Sequence, residues 1–293
     1  ARRISSVVDQ KAEEGGVLSK FQAGFRKGEE ALSQVAALYE ICQRRVCEST
    51  MQRKGENTVC VFVDLKSAYD CVNHTALLFK MERMGVPSVF VDFVREMYTD
   101  AWCKVQVGAA LTESVDVRRG VRQGDVLSHL LFSIFINDVF DGMAESDAVS
   151  VPGLSYRVPG LLFADDLVLM SENEQSMQRQ LDCLSKWCET WGMTVNVSKC
   201  GSMVVTSRKA ADKPVPTFTV QNKQIPVVPV YTYLGVQFNR FMELSEAGKQ
   251  KVALFEVEVQ KWDSYLKNKS IPVGARVQMV KTWLVPLATY GAE

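Results

Sequence analysis

Histidine is almost absent from this chain of 293 residues, which carries only His74 and His129, and none of its eight cysteines stands in a Cys-x-x-Cys pair. These shortages leave too few ligands for a Cys/His zinc centre of the usual spacings. Net charge is lacking as well: 34 Lys and Arg balance 34 Asp and Glu. A strongly basic balance would have pointed to nucleic acid; here only local patches can serve that purpose. No apolar run approaches the roughly 18 residues that span a bilayer. No secretory leader is visible, and no membrane partner is expected. Internal repeats and low-complexity tracts are missing too. Cys42, Cys47, Cys60, Cys71, Cys103, Cys183, Cys188 and Cys200 lie partly in apolar runs such as VCVFVDL. They read as buried free thiols of an intracellular protein, in nucleus or cytoplasm.

What is present is apolar material, 47% of the residues, enough for a large core and more than one subdomain. There is no initiator Met, and a helical pattern is still running near Glu293. An excerpt from a longer protein is therefore expected. Periodicity predicts a helix over 29–47, a polar loop over 48–58, and a strand buried on both faces at VCVFVDL (59–65). Two helices (75–85 and 87–98) flank Gly85-Val86-Pro87, and a strand pair (103–107 and 113–118) surrounds Gly108. A buried helix is expected over 128–143, then two short strands in LLFADDLVLM (161–170), then an amphipathic helix through Met177 and Trp191. Strands follow at 193–197, 202–206, 217–221 and 231–238. After Arg240 the pattern is helical, near 243–268 and 273–290, which places a subdomain boundary at about 239.

Two stretches raise a chemical question. In LLFADDLVLM, Asp165 and Asp166 interrupt an apolar run, although a buried carboxylate is costly without a cation or strong donors. In VFVDLKSAYD (61–70), Asp64 ends an apolar strand, and Asp70 follows a turn of small residues. If the two strands are neighbours in one sheet, Asp64 and Asp165 meet at a shared edge. Three carboxylates there need divalent cations, and pairs of oxygen-ligated Mg²⁺ ions run in-line phosphoryl displacement. The competing reading is a solvated hairpin turn with Asp64 as a strand-end cap.

Read together with RRGVRQGDVLSHLLF (118–132), these stretches resemble the palm of reverse transcriptases, most closely those of non-LTR (LINE-type) retrotransposons. QAGFRKG (22–28), WGMTVNVSKC (191–200) and YLGVQF (233–238) fall in the order of the same family's blocks. The resemblance implies an α+β right-hand polymerase. Partial fingers would occupy 1–58, the palm with remaining fingers elements 59–238, and a partial helical thumb 239–293. It implies RNA-directed DNA polymerase activity, with dNTPs added to a primer 3′-hydroxyl on an RNA or DNA template. It also implies two Mg²⁺ ions (Mn²⁺ substituting) and flanking endonuclease or nucleic-acid-binding domains.

By the same resemblance, Asp64, Asp165, Asp166 and the Leu65 carbonyl would serve the metals. Leu65, Lys66, Ser67, Ala68 and Tyr69 would wrap the triphosphate, and Tyr69 would exclude a 2′-hydroxyl. Gln123 and Gly124 would pack on the nascent pair, and Lys199 would protonate the leaving group. Arg26, Arg118, Arg119 and Arg122 would contact nucleic acid, and Tyr233, Leu234 and Gly235 would grip the primer end. Lysines and Arg276 in the helices after Arg240 would follow the duplex.

The family usually has Pro-Leu-Ser-Pro after RQGD. Here Val126-Leu127-Ser128-His129 stands instead, which would loosen the loop although Ser128 could still cap the next helix. The upstream fingertip strands are not evident, and ARRISSVVDQ resembles the helix after them. An alternative is therefore a decayed or truncated module that binds nucleic acid without turnover. An RNA-dependent RNA polymerase is a weaker reading, against which Ala164 and Tyr69 both count.

Overall fold

The computed structural model describes residues 18–48, 57–207 and 216–290. The helix resembled by ARRISSVVDQ, most of the 48–58 loop and the side chain of Cys47 lie outside the described residues. The chain forms two compact units, Ala1–Val228 and Pro229–Glu293.

The first unit is built on a four-stranded antiparallel sheet. Its centre is β1 (Thr58–Val63), whose residues are all buried, as a strand covered on both faces requires. After α1 (Ala31–Glu48) and β1 come α2 (His74–Arg83) and α3 (Ser88–Tyr98). The Asn73 side chain caps α2 by accepting the Ala76 N–H. A ribbon of two-residue strands follows: β2 (Trp102–Cys103) pairs with β5 (Val115–Asp116), and β3 (Gln106–Val107) with β4 (Ala110–Leu111). The single strand pair expected there is thus two short ladders, folded back at Gly108.

Helix α4 (Ser128–Ile136) is buried on nearly every side. It ends sooner than the expected 143. The Lys80 ammonium takes the Phe135 carbonyl at 2.7 Å, and Asn137 turns its side-chain oxygen to the Ser19 N–H at 2.6 Å. Short strands β6 (Val149–Ser150) and β7 (Arg157–Val158) lead to β8 (Gly160–Phe163) and β9 (Asp166–Ser171). Helix α5 (Glu174–Trp191) buries Met177, Leu181, Leu184 and Cys188. Asn173 caps its start and Gly192, with φ of 72°, ends it in the left-handed region.

The expected strand 193–197 is not one. Residues 193–196 are extended but make a single bridge, Val195 to Leu65, before a 3₁₀ turn at Val197–Lys199. The segment spends its backbone on a loop instead of a strand: Lys66 donates to the Thr194 carbonyl and Asn196 to that of Asp64, each at 2.8 Å. Strand β10 (Gly201–Val205) completes the sheet in the order β10-β1-β9-β8. The expected 217–221 strand is half of a hairpin, β11 (Phe218–Val220) with β12 (Lys223–Ile225).

The second unit begins at Pro229, ten residues before the boundary expected from the sequence. It takes in the hairpin of β13 (Val230–Tyr233) and β14 (Val236–Asn239), which the sequence had grouped with the palm. That hairpin packs with α6 (Leu244–Lys267), and the Tyr290 hydroxyl donates to the Leu234 carbonyl at 2.7 Å. The expected helix 273–290 is broken by a π turn at Val280–Leu284, between α7 (Val273–Met279) and α8 (Val285–Thr289). Pro286 has no N–H for a regular helix to use.

Candidate active site

The register of the central strands brings the distant acids to one edge. Strand β1 pairs with β9 from Val59↔Ser171 to Val63↔Leu167, so Asp64 leaves β1 beside the start of β9. Strand β8 pairs with β9 down to Phe163↔Asp166, and Ala164-Asp165 is the two-residue turn between them. Ala164 makes that turn at φ 56°, in the left-handed region that alanine adopts at some cost.

A cavity of about 390 Å³ opens at this edge. It is lined by the loop Asp64–Asp70 and by Gln123, Asp165, Asn196 and Lys199. The structure thus unites Asp64, Leu65, Lys66, Ser67, Ala68, Tyr69, Gln123, Asp165 and Lys199, nine expected site residues. Asp166 does not line the cavity: it opens β9, one residue past the turn that carries Asp165. Gly124, at φ 84°, turns the chain beside Gln123 without reaching the lining.

The electrostatics follow from the convergence. Burial raises the Asp165 carboxyl above the usual carboxylate range, and the Asp64 charge adds to this, while its own backbone N–H and Lys199 oppose it. Asp166 is pushed up to about 6, first by partial removal of its carboxyl from water and then by the charges of Asp165 and Asp64. The Lys199 ammonium faces the group, with Nζ 4.0 Å from Asp64 Oδ1. Tyr69 stacks on Phe132, with centroids 4.4 Å apart and planes 15° from parallel. Burial and then the Asp165 charge push its hydroxyl up to about 12, so it stays protonated.

The loop is shaped to receive an anion. Ser67 has φ of 46°, and its carbonyl accepts the N–H groups of Asp70 and Cys71 at 3.0 Å each. The N–H groups of Ser67, Ala68 and Tyr69 have no partner among the described residues. Such a run of free amides in a turn is an anion-binding nest. Gln123 Nε2 donates to Asp70 Oδ1 at 3.1 Å, tying the 118–125 loop to this one.

A divalent cation fits the donor set. The carboxylates of Asp64, Asp70 and Asp165 and the Leu65 segment offer hard oxygens at the cavity, and the Asp64 charge raises Asp165 while the Asp165 and Asp64 charges raise Asp166. Among the described residues, no three His, Cys, Asp or Glu side chains are gathered closely enough to hold an ion alone. A metal here therefore needs backbone and substrate oxygens as well. His74 and His129 have other uses: His74 Nε2 meets the Gly120 carbonyl at 2.9 Å, and His129 rests against Phe25.

The basic residues are less convergent. Arg118 pairs with Asp116 at 3.1 Å, and Arg122 donates to the Met97 carbonyl at 3.0 Å over the Tyr98 ring. Arg119 is exposed, its backbone bridged to Asn73. Arg26 donates to the carbonyls of Ser19 and Gln22, at 3.0 and 2.9 Å, and so closes its own loop. Tyr233, Leu234 and Gly235 form the β13–β14 turn of the second unit, where Leu234 and Gly235 both have positive φ. Ser128 is not a cap. Leu127 holds that position, and the Ser128 hydroxyl donates back to the Arg122 carbonyl. Asn196 and Asp70 line the cavity although the sequence reading gave them no role. Asn196 was within the quoted WGMTVNVSKC, but its part depends on pairing with Asp64.

A buried antiparallel sheet with acids at the ends of its central strands, helices packed on it and a loop facing the acids is the palm of a right-hand polymerase. Comparisons agree. Apo telomerase from Candida tropicalis superposes with a TM-score of 0.58 over 99% of this chain and 49% of its own, at 14% identity. A C-terminally truncated form gives 0.56 over 83% of this chain and 44% of its own, also at 14%. Residues 1–238 match the family "Reverse transcriptase (RNA-dependent DNA polymerase)", and the chain belongs to that family. Among curated relatives, the Pol polyprotein of the type-1 retrotransposable element R2 from Popillia japonica is 28% identical over 82% of this chain. The RNA-directed DNA polymerase of mobile element jockey from Drosophila melanogaster is 25% identical over 94%. This chain spans 39% and 29% of their lengths. These are non-LTR retrotransposon polymerases, the type its motifs resemble.

Proposed function

We propose that this chain is the polymerase core of a retrotransposon protein, extending a primer 3′-hydroxyl with dNTPs on an RNA or DNA template. The observation that carries the reading is the meeting of Asp64 and Asp165, remote in sequence, at one cavity. Asp64, Asp165 and the Leu65 carbonyl would hold Mg²⁺ or Mn²⁺, with Asp166 shaping the local charge. The bound ions supply acidity to the attacking hydroxyl and charge neutralisation to the leaving pyrophosphate.

The chain's own groups do the rest. The amides of Ser67, Ala68 and Tyr69 receive the triphosphate. Tyr69, held flat on Phe132, forms the floor under the sugar and leaves no space for a 2′-hydroxyl. Gln123, oriented by Asp70, faces the incoming base. Lys199 stands at the cavity with an exposed ammonium that can give its proton to the pyrophosphate. Loss of the prolines after RQGD is offset locally, since the Asp125 side chain accepts the Leu127 N–H at 3.0 Å. Flanking domains would belong to the longer relatives' arrangement. The seven described cysteines are free thiols. No described helix is long and apolar enough to cross a membrane.

Primer extension on poly(rA)/oligo(dT) with Mg²⁺ or Mn²⁺ tests the reading. The wild-type chain extends the primer, and Asp165→Asn with Asp166→Asn lowers the rate by about a thousandfold or more. Extension by the double variant at the wild-type rate refutes it.

A further inference from the structure

Residues 21–24 form a strap across the hairpin that carries Asp165 and Asp166. The Phe21 carbonyl accepts the Leu162 N–H and the Ala23 N–H donates to the Leu162 carbonyl, each at 2.9 Å, a parallel bridge centred on Gln22. Gly24 passes so close to the turn that a Cβ there would lie 2.2 Å from the Ala164 nitrogen. Between strap and turn sits the Gln22 side chain, 1% exposed.

The Gln22 Oε1 accepts two backbone N–H groups, from Gly24 at 2.8 Å and from Ala164 at 3.2 Å. Both partners are donors, so the amide has one orientation: oxygen toward the turn. Its Nε2 has no partner among the described residues. Burying an unsatisfied N–H₂ is costly, and an apolar side chain of the same size would fill the space without that cost. What glutamine adds is the oxygen. That oxygen holds the amide of Ala164, the residue forced to φ 56°, and Ala164 sets the direction in which Asp165 leaves the turn.

We propose that Gln22 is a positioning residue of the active site: its side-chain oxygen pins the strained Ala164 and thereby aims the Asp165 carboxylate into the cavity. The inference rests on the polymerase reading for its consequence, while its geometry stands apart from it.

The test compares Gln22→Met, which keeps the volume and removes the acceptor, with Gln22→Glu, which keeps an acceptor oxygen. Both are made in the full chain, with folding checked by circular dichroism. Free Mn²⁺ is followed by electron paramagnetic resonance and primer extension by its kcat and its KM for dTTP. Gln22→Met binds Mn²⁺ about tenfold more weakly and loses about tenfold in kcat, with KM for dTTP unchanged. Gln22→Glu, whose buried carboxyl can accept the same two N–H groups in its neutral form, keeps more Mn²⁺ affinity than Gln22→Met. Adding Ala164→Gly to Gln22→Met restores most of the Mn²⁺ affinity, because glycine takes positive φ without strain. Gln22→Asn, which withdraws the amide by one methylene, is a gentler second variant and moves in the same direction as Met.

Wild-type Mn²⁺ affinity in folded Gln22→Met, no recovery by Ala164→Gly, or failure of both the Met and Asn variants to fold overturns the inference. So does a wild-type chain that binds no Mn²⁺. A wild-type chain that binds Mn²⁺ without extending a primer overturns the polymerase reading instead, and the Mn²⁺ comparison still decides the role of Gln22.

Discussion

Tyr69 and Lys80 show how single side chains are fixed by what surrounds them. The Tyr69 ring is held nearly parallel to Phe132, so its position at the cavity, proposed as the floor under the sugar, depends on ring contact. Replacing it with Ala opens that floor. Discrimination of dNTPs against NTPs, measured as the ratio of kcat/KM values, is expected to fall by about tenfold or more. Lys80, almost fully buried, is wrapped by Phe135, Trp187 and Trp191, the last ring centroid 4.0 Å from its ammonium. Burial lowers its pKa to about 8, although its hydrogen bond to Asp138 opposes the shift. The unfolded chain therefore binds more protons than the folded one between about pH 8 and the ordinary lysine value. Across that window the stability of the wild type relative to Lys80→Met is expected to rise with pH, as urea melts at pH 7.5 and 9.5 would show. A falling difference would contradict it. At this scale the acids were legible, because Asp64 and Asp165 each end an apolar run. Gln22 and Asn196 were not, because a polar residue's partner can lie anywhere in the chain.

Among the elements, the sheet edge is the least tolerant. Gly160 opens β8 opposite Leu169, and a Cβ there would lie 2.3 Å from the Val168 carbonyl oxygen. Gly160→Ala must separate β8 from β9, costing about 1–3 kcal/mol. Thermal denaturation should register this together with weaker Mn²⁺ binding, since β8 and β9 carry the Asp165 turn. Gly24→Ala pushes on the same turn from the strap and is expected to lower extension more than stability, because the strap sits at the sheet margin. Strand β1 and helix α5 could be read from apolar run and period. The end of α4 and the 193–197 segment could not. Periodicity reports apolar residues, whereas those boundaries are set by hydrogen bonds donated by Lys80 to the Phe135 carbonyl, by Ser19 to the Asn137 side chain and by Asn196 to the Asp64 carbonyl.

For the molecule as a whole, the acidic edge holds a repulsion that a bound divalent cation would relieve. Mn²⁺ at about 100 times its Kd is expected to stabilise the wild-type chain by about 2.7 kcal/mol. Asp64→Asn with Asp165→Asn, which removes the two cavity carboxylates proposed to hold the ion, should abolish the gain. Differential scanning calorimetry with and without Mn²⁺ checks this, and equal gains in both chains would rule out the ligand assignment. The change from mixed strands to helices was legible near residue 239, whereas the second unit begins at Pro229. The hairpin at 230–239 joins the helical unit because it packs with α6, a tertiary contact that no local pattern announces.

The sequence by itself determined which segments are apolar enough to be covered, where the carboxylates interrupt them and in what order the motifs run. These are local properties of side-chain chemistry and spacing. Only the tertiary structure decided that Asp165 faces the cavity while Asp166 does not, that the arginines at 26 and 122 are spent on carbonyls, and that residues 22 and 196 brace the acids. Those outcomes depend on strand register and on hydrogen bonds between residues far apart in the chain, which exist only after the sheet has closed.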